Sequence, residues 1–228
     1  MPLVSLYSFF GLSQNNLNQD SIVSIILDGK TVKEKCNLYY DNIHVYSISR
    51  EELESINTQL LKKINPKDKS YFELSTTLME GLFFSNTHQY DLAEPKFIQL
   101  IRNSKDINIE LFMEGINGLS ILYTFQGKFE KAIEFTDSIL ILYKDEVPKP
   151  SLGLTHQYRG AAFRAMDFLN VSTQEFLIAD SLLPNTNDKV TNYLDLTVNY
   201  GSLNDLETAE KYLLKANELT TILKDEYM

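Results

Sequence analysis

The feature of this sequence that most constrains its fold is an internal repeat of helical hairpins. In each copy, a first helix carries a small residue with an aromatic one three positions later, and a second amphipathic helix follows after a short break. The first-helix small residues and aromatics are Gly81 with Phe84, Ser120 with Tyr123, Gly160 with Phe163, and Thr197 with Tyr200. The second-helix small residues, spaced by 39, 40 and 37 positions, are Ala93, Ala132, Ser172 and Ala209. Because helices approach closely only where side chains are small, the pattern predicts four antiparallel helix pairs.

Composition supports helices and excludes several functions. With 9 Gly and 6 Pro in 228 residues, the chain has too few breaks for the frequent turns of a β-sandwich or barrel. The formal net charge of −10 would repel phosphate backbones, so we expect no nucleic-acid partner for this segment. No apolar run approaches the roughly 20 residues of a spanning helix, so we expect no membrane span in the body of the chain.

Residues 68–228 resemble the tetratricopeptide repeat family. The family's 34-residue unit places a small residue and Tyr on its first helix, then Ala, an aromatic residue and Ala on its second, before Pro. The segments GKFEKAIEF and AEKYLLKANEL are most similar to this sequence pattern, and Pro184 falls on the family's terminal Pro. Three departures are the longer period, Ile139 in place of a late Ala, and Pro95 inside a second helix, where it would shorten or bend that helix.

The resemblance implies an all-α fold, a right-handed α-α superhelix (solenoid) of tetratricopeptide-like hairpins with about four to five pairs. The predicted repeats of the array are 68–106, 107–146, 151–184 and 187–228. In the fourth repeat, Leu206, Ala209, Leu213 and Ala216 are expected on the inner face of the second helix. No polar closing helix follows that second helix in the sequence.

The first 67 residues divide into two predicted parts. Residues 1–30 form an N-terminal segment whose apolar start, residues 1–14, has the character of a secretory signal but lacks its basic beginning. The protein is exported or periplasmic if this is a truncated signal, and otherwise cytoplasmic. Residues 31–67 are predicted to form a degenerate capping helix pair, in which Ser49 is the N-cap of the second helix.

The family resemblance also indicates where a partner would bind. First helices line the concave surface of such an array, so ligand-facing side chains are expected on them, away from the second helices. The residues that this rule selects are Asn86, Glu114, Asn117, Thr124, Phe125, Gln157, Arg164 and Ser202. Their amide groups suit the backbone of an extended peptide. The family's carboxylate clamp would be incomplete, because only Asn117 and Arg164 match it.

The sequence gives no support for catalysis. Cys36 is the single cysteine, the three histidines are scattered at 44, 88 and 156, and no phosphate loop, nucleophile elbow or zinc motif is present. We therefore predict no catalytic residues, no cofactor and no metal site.

Two functions remain as hypotheses from the sequence. The first is a non-catalytic scaffold that binds a protein or peptide on the concave face. The alternative is a sensory or regulatory region of a bacterial signalling protein or transcription regulator, with an output domain beyond the C-terminus. The oligomeric state is left open.

Overall fold

The computed structural model describes residues 18–43, 47–143 and 145–226, and in these ranges it contains eleven α-helices and no strand. The helices are α1 (Gln19–Leu27), α2 (Val32–Asn42), α3 (Arg50–Lys63), α4 (Pro66–Asn86), α5 (Tyr90–Ser104), α6 (Ile109–Phe125), α7 (Phe129–Leu142), α8 (Lys149–Ala165), α9 (Leu169–Leu182), α10 (Asn187–Ser202) and α11 (Leu206–Glu226). The predicted all-α class is thereby confirmed. Residues 1–14, for which a truncated signal was one of two interpretations, and His44 lie outside the described residues.

The chain divides into two compact units, with the boundary inside α6 after Gly118. In the first unit α1 packs against α2 and α3 and buries Val23 and Ile26, a helix that the sequence analysis did not predict. The predicted cap of α3 is confirmed. Ser49 Oγ accepts from the Glu52 N–H at 3.2 Å, and the Glu52 carboxylate accepts from the Ser49 N–H at 2.9 Å. These hydrogen bonds hold the pKa of Glu52 below its ordinary value.

A polar chain that is buried at Tyr39 and Asn57 and partly exposed at Glu80 and Lys96 connects four helices of the first unit. The Tyr39 hydroxyl of α2 donates to Asn57 of α3 at 2.7 Å, and the Asn57 amide donates to Glu80 of α4 at 3.2 Å. Glu80 also pairs with Lys96 of α5. Burial raises the pKa of Tyr39 well above its ordinary value. Since each member of the chain has a partner, the polar groups fix the packing of these helices without an unsatisfied donor.

One turn geometry closes all four hairpins of the repeat. A residue in the left-handed conformation follows each first helix: His88, Gly127, Asp167 and Asn204. In every turn the N–H of the next residue donates to the carbonyl of the repeat aromatic, as Phe168 does to Phe163 at 2.9 Å. This is the Schellman arrangement, which satisfies free carbonyls at a helix end. The left-handed residues are separated by 39, 40 and 37 positions, which are the predicted repeat spacings.

Aromatic rings pack against glycines inside two of the hairpins. A Cβ atom on Gly81 would lie 2.8 Å from Cε1 of Phe97, and one on Gly160 would lie 2.8 Å from Cε1 of Phe176. Both rings are fully buried. The predicted close approach at these two small residues is therefore confirmed, because neither ring would fit against a larger neighbour.

Two details of the second helices differ from the prediction. Pro95 lies inside α5, a helix of 15 residues that continues past it to Ser104, so this helix is not shortened. In α11 Leu206 and Leu213 are exposed by 67% and 42%, so the prediction that they face inward is wrong. Tyr212, at the position equivalent to Glu175, is buried as Glu175 is on α9, and it stacks on Tyr200 with 5.6 Å between ring centroids.

Candidate functional site

The first helices of the second unit lie side by side. Ile121 of α6 shares a core cluster with Leu154 and Tyr158 of α8, and Ala161 of α8 packs against the cluster that contains Leu196 of α10. The forward face of a hairpin is the side against which the first helix of the next hairpin packs. The same name is used for the equivalent side of the fourth hairpin. The residues predicted to contact a ligand therefore fall into two groups. Some lie on forward faces that the next first helix covers, and the others lie on exposed parts of the first helices.

Two of the predicted residues are buried. Asn117 is exposed by only 1% and Gln157 by 4%, although both were selected as ligand-facing. Gln157 lies on the forward face of its hairpin, where its amide donates to Asp195 of α10 at 3.2 Å. A partner has no direct access to either side chain in this structure.

Arg164 forms the central polar contact between α8 and α10. Its guanidinium donates to the Asp195 carboxylate at 2.7 Å and to the Asp195 backbone carbonyl at 3.3 Å. The guanidinium carbon also lies 5.3 Å from the centre of the Phe176 ring. Burial raises the pKa of Asp195 above its ordinary value, although Arg164 and Gln157 act in the opposite direction. The cation that a ligand carboxylate would need is thus already paired within the chain.

Sequence reasoning missed Asp195. A signal was available, because this carboxylate stands between apolar residues in the segment YLDLTV of a first helix. A charged residue on a helix face that packs against a neighbour needs an opposite charge there. Arg164 was a candidate, since it lies 31 positions upstream on the first helix of the preceding hairpin.

The remaining predicted residues have partly or fully exposed side chains. Phe125, at the end of α6, is exposed by 46%, and Ser202 is exposed at the equivalent end of α10. Thr124 is half-buried, with its hydroxyl donating to the Ser120 carbonyl at 2.9 Å. In the first unit, Asn86 and Glu114 are half-buried.

A second polar cluster lies on the opposite side of α8. His156 Nδ1 lies 2.7 Å from a carboxylate oxygen of Glu175, and the other oxygen of Glu175 lies 3.2 Å from Nε of Arg159. Arg159 also pairs with Asp137 of α7. The cluster links α7, α8 and α9 with both carboxylates engaged. Across the described ranges, no group of three or more His, Cys, Asp or Glu side chains is placed to hold a metal ion.

Comparison of structures identifies the class of fold. The chain is similar to BtubC (BKLC) from P. vanneervenii, with a TM-score of 0.57 and 12% identity over 91% of this chain and 84% of that one. It is also similar to putative kinesin light chain TPR-like repeats from Podosopora anserina, with a TM-score of 0.51 and 12% identity over 91% and 94% of the two chains. A MamA RS-1 double mutant matches with a TM-score of 0.50 and 14% identity over 77% and 89%.

The chain therefore has the fold of the tetratricopeptide-like helical repeat proteins, as its sequence predicts. No family model matches the chain, and no curated protein matches it in sequence. No helix in the described ranges has both the length and the apolar character to cross a bilayer.

Proposed function

We propose that this protein is a non-catalytic scaffold that binds a protein or peptide on the exposed ends of its first helices in the second unit. The observation that carries the proposal is the exposure of Phe125 at the end of α6. Large aromatic side chains are costly to leave in water and are enriched among the residues that dominate binding energies. Structural similarity to repeat proteins of this class supports the same role.

The surroundings of Phe125 favour an apolar anchor over a carboxylate clamp. Because the first helices lie side by side in the same direction, their C-terminal ends bring Phe125, Ala165 and Ser202 to one edge of the unit. Arg164 is near this edge but is committed to Asp195. A partner would gain more by covering the Phe125 ring than by competing for the Arg164 guanidinium.

The test is capture of a partner from the source cell by the purified chain, followed by identification and a binding measurement with the purified partner. We expect Phe125→Ala to weaken binding by about tenfold or more, as for a central aromatic contact. Leu177→Ala is the matched control, since Leu177 is similarly exposed but lies on a second helix. Equal binding by wild type and both variants would exclude Phe125 from the binding surface.

The regulatory alternative stays a prediction, because no described residue bears on an output domain. Glu114 and Asn86, in the first unit, likewise stay candidates for partner contact, whereas Asn117 is buried.

A further inference from the structure

The forward face of the third hairpin shows which contacts hold the next first helix, α10, against a hairpin. On α9, the Leu169 carbonyl and the Thr173 hydroxyl both accept from the Asn199 amide of α10 at 3.0 Å. The Phe176 carbonyl accepts from Asn192 at 3.0 Å. On α8, Gln157 and Arg164 hold Asp195. Phe176, Gln157 and Thr173 are buried in this contact.

The equivalent forward face of the fourth hairpin is exposed and aliphatic. The residues 37 positions after Gln157, Ala161, Leu169 and Phe176 are Leu194, Val198, Leu206 and Leu213. Leu194 and Val198 are exposed by 44% and 54%, and Leu206 and Leu213 are more than one-third exposed as well. Four aliphatic side chains at the positions that seat a helix one hairpin earlier form an apolar surface of the kind that marks an interaction site.

Sequence differences between the third and fourth hairpins on this face indicate which side chains a docked helix should carry. Leu194 and Gly201 stand where Gln157 and Arg164 hold Asp195, so a helix docked here meets no group that would pair with a buried acid. A Cβ atom on Gly201 would contact nothing within 4 Å, which leaves room for close approach. Glu210 stands where Thr173 accepts from Asn199, so the facing residue of the docked helix should be cationic.

A second copy of this chain does not meet these requirements. Its own α10 would bring Asp195 against Leu194 and an uncharged amide against Glu210. Two copies joined face to face would place the acidic side chains Glu207 and Glu210 of both copies at one contact, where like charges repel.

We propose that the forward face of α10 and α11 is a docking surface for an amphipathic helix of a partner protein, which carries a Lys or Arg four positions after an apolar residue. The apolar residue takes the place that Asp195 has in α10, and the basic residue takes the place of Asn199. This surface uses none of the residues of the Phe125 edge, so either binding proposal can fail while the other stands.

The probe for the first experiment is a fluorescein-labelled, helix-stapled peptide with the sequence of α10 carrying Asp195→Leu and Asn199→Lys. Its binding to the full chain is measured by fluorescence anisotropy. We expect Val198→Glu to weaken binding by about tenfold or more, because the change buries a charge in the apolar contact. Leu214→Glu is the control: Leu177, its equivalent on α9, stays exposed beside the seated α10, so the control should bind as wild type.

Exchanging the charges of the peptide and of Glu210 tests the requirement for a basic residue on the docked helix. A matched peptide with Asn199→Glu should bind wild type more weakly than the Lys peptide, and Glu210→Lys should reverse that order of affinities. Circular dichroism melting of each variant separates loss of binding from loss of fold. Equal binding of both peptides to wild type and Glu210→Lys, or unchanged binding by a folded Val198→Glu variant, would overturn the proposal.

Sedimentation of the chain without peptide tests whether this face is an interface between two copies. We expect Val198→Glu to leave the oligomeric state of wild type unchanged. If wild type is a dimer that Val198→Glu converts to a monomer, the face is an interface between copies, and the proposal of a foreign helix is wrong.

Discussion

The third and fourth hairpins have the same turns, yet one equivalent position of their second helices is buried in the third and exposed in the fourth. In α9 the Phe176 ring fills the space beside Gly160 and is inaccessible to solvent. In α11 the equivalent Leu213 is 42% exposed, although the neighbouring Tyr212 is buried as its equivalent Glu175 is. The difference follows from what covers each second helix: α10 packs against α9 and Phe176 shares a core cluster with Leu196 of α10, whereas the corresponding face of α11 is exposed.

The largest expected difference between the two hairpins is the cost of truncating the equivalent residues. Phe176→Ala should lower the free energy of unfolding by about 3–5 kcal/mol, because it leaves a ring-sized cavity in a closed site. Leu213→Ala should cost less than about 1 kcal/mol, since this residue is already 42% exposed and its truncation leaves no closed cavity. Urea unfolding of both variants measures the difference, and equal costs would contradict the assigned packing of α11.

Adding one methyl group at Gly160 tests the space that this ring occupies. Alanine in place of a helical glycine usually stabilises by about 0.5–1 kcal/mol, but here its Cβ would lie 2.8 Å from the ring. We expect Gly160→Ala to destabilise by about 1–3 kcal/mol through overpacking. Combining it with Phe176→Leu should cost less than the sum of the single changes, and simple additivity would mean that the two residues do not contact each other.

The ion pair between the third hairpin and α10 predicts a dependence on pH. The folded pKa of Asp195 is raised above its ordinary value near 3.9, so its contribution to stability is full below that pH and is lost as the pH rises through the folded pKa. Removing the guanidinium in Arg164→Ala raises this pKa further. The variant should therefore cost about 1–3 kcal/mol at pH 7, and less as the pH falls and Asp195 becomes neutral.

Urea unfolding at pH 7 and pH 5 measures that dependence. Asp195→Asn supplies the control background, where the cost of Arg164→Ala should be the same at both values. A cost in the wild-type background that does not change with pH would show that Asp195 stays ionised without its partner.

The smallest expected effect belongs to the exposed forward face. Gly201, at the position of Arg164, is surrounded by open space. Gly201→Ala should therefore be neutral or stabilise by a few tenths of a kcal/mol, in contrast to Gly160→Ala. Thermal unfolding of the Gly201→Ala and Gly160→Ala variants, measured side by side, compares their stability changes. A clear loss of stability for Gly201→Ala would mean that this face is already covered.

Much of the fold was predictable because its signals are local. The repeat spacing, the Ser49 cap and the small residues Gly81 and Gly160 all follow from patterns within a few tens of residues. The exposure of Leu213 was not predictable from its own sequence, since burial at this position depends on whether another helix covers it, as α10 covers Phe176 of α9. The α1 helix was missed because the apolar start of the chain suggested a signal sequence.

The candidate site was less predictable than the fold for a related reason. Helical periodicity shows which residues share a face, but it does not show whether that face meets water or the next helix. Gln157 and Arg164 were selected as ligand-facing, and both contact Asp195 on a neighbouring helix. The exposed aliphatic residues of α10 and α11 were not recognised as a surface, because in sequence they resemble the core residues of the earlier pairs.

The recurring left-handed turn has a consequence for synthesis of the chain. Each turn takes its hydrogen bonds from residues at most five positions apart, as between Asn204, Asp205, Tyr200 and Gly201. A hairpin of the array can thus close as soon as its own two helices have left the ribosome, without waiting for distant sequence. Pausing of translation between hairpins should accordingly do little harm, whereas a pause within one would leave an amphipathic helix without the partner that buries it.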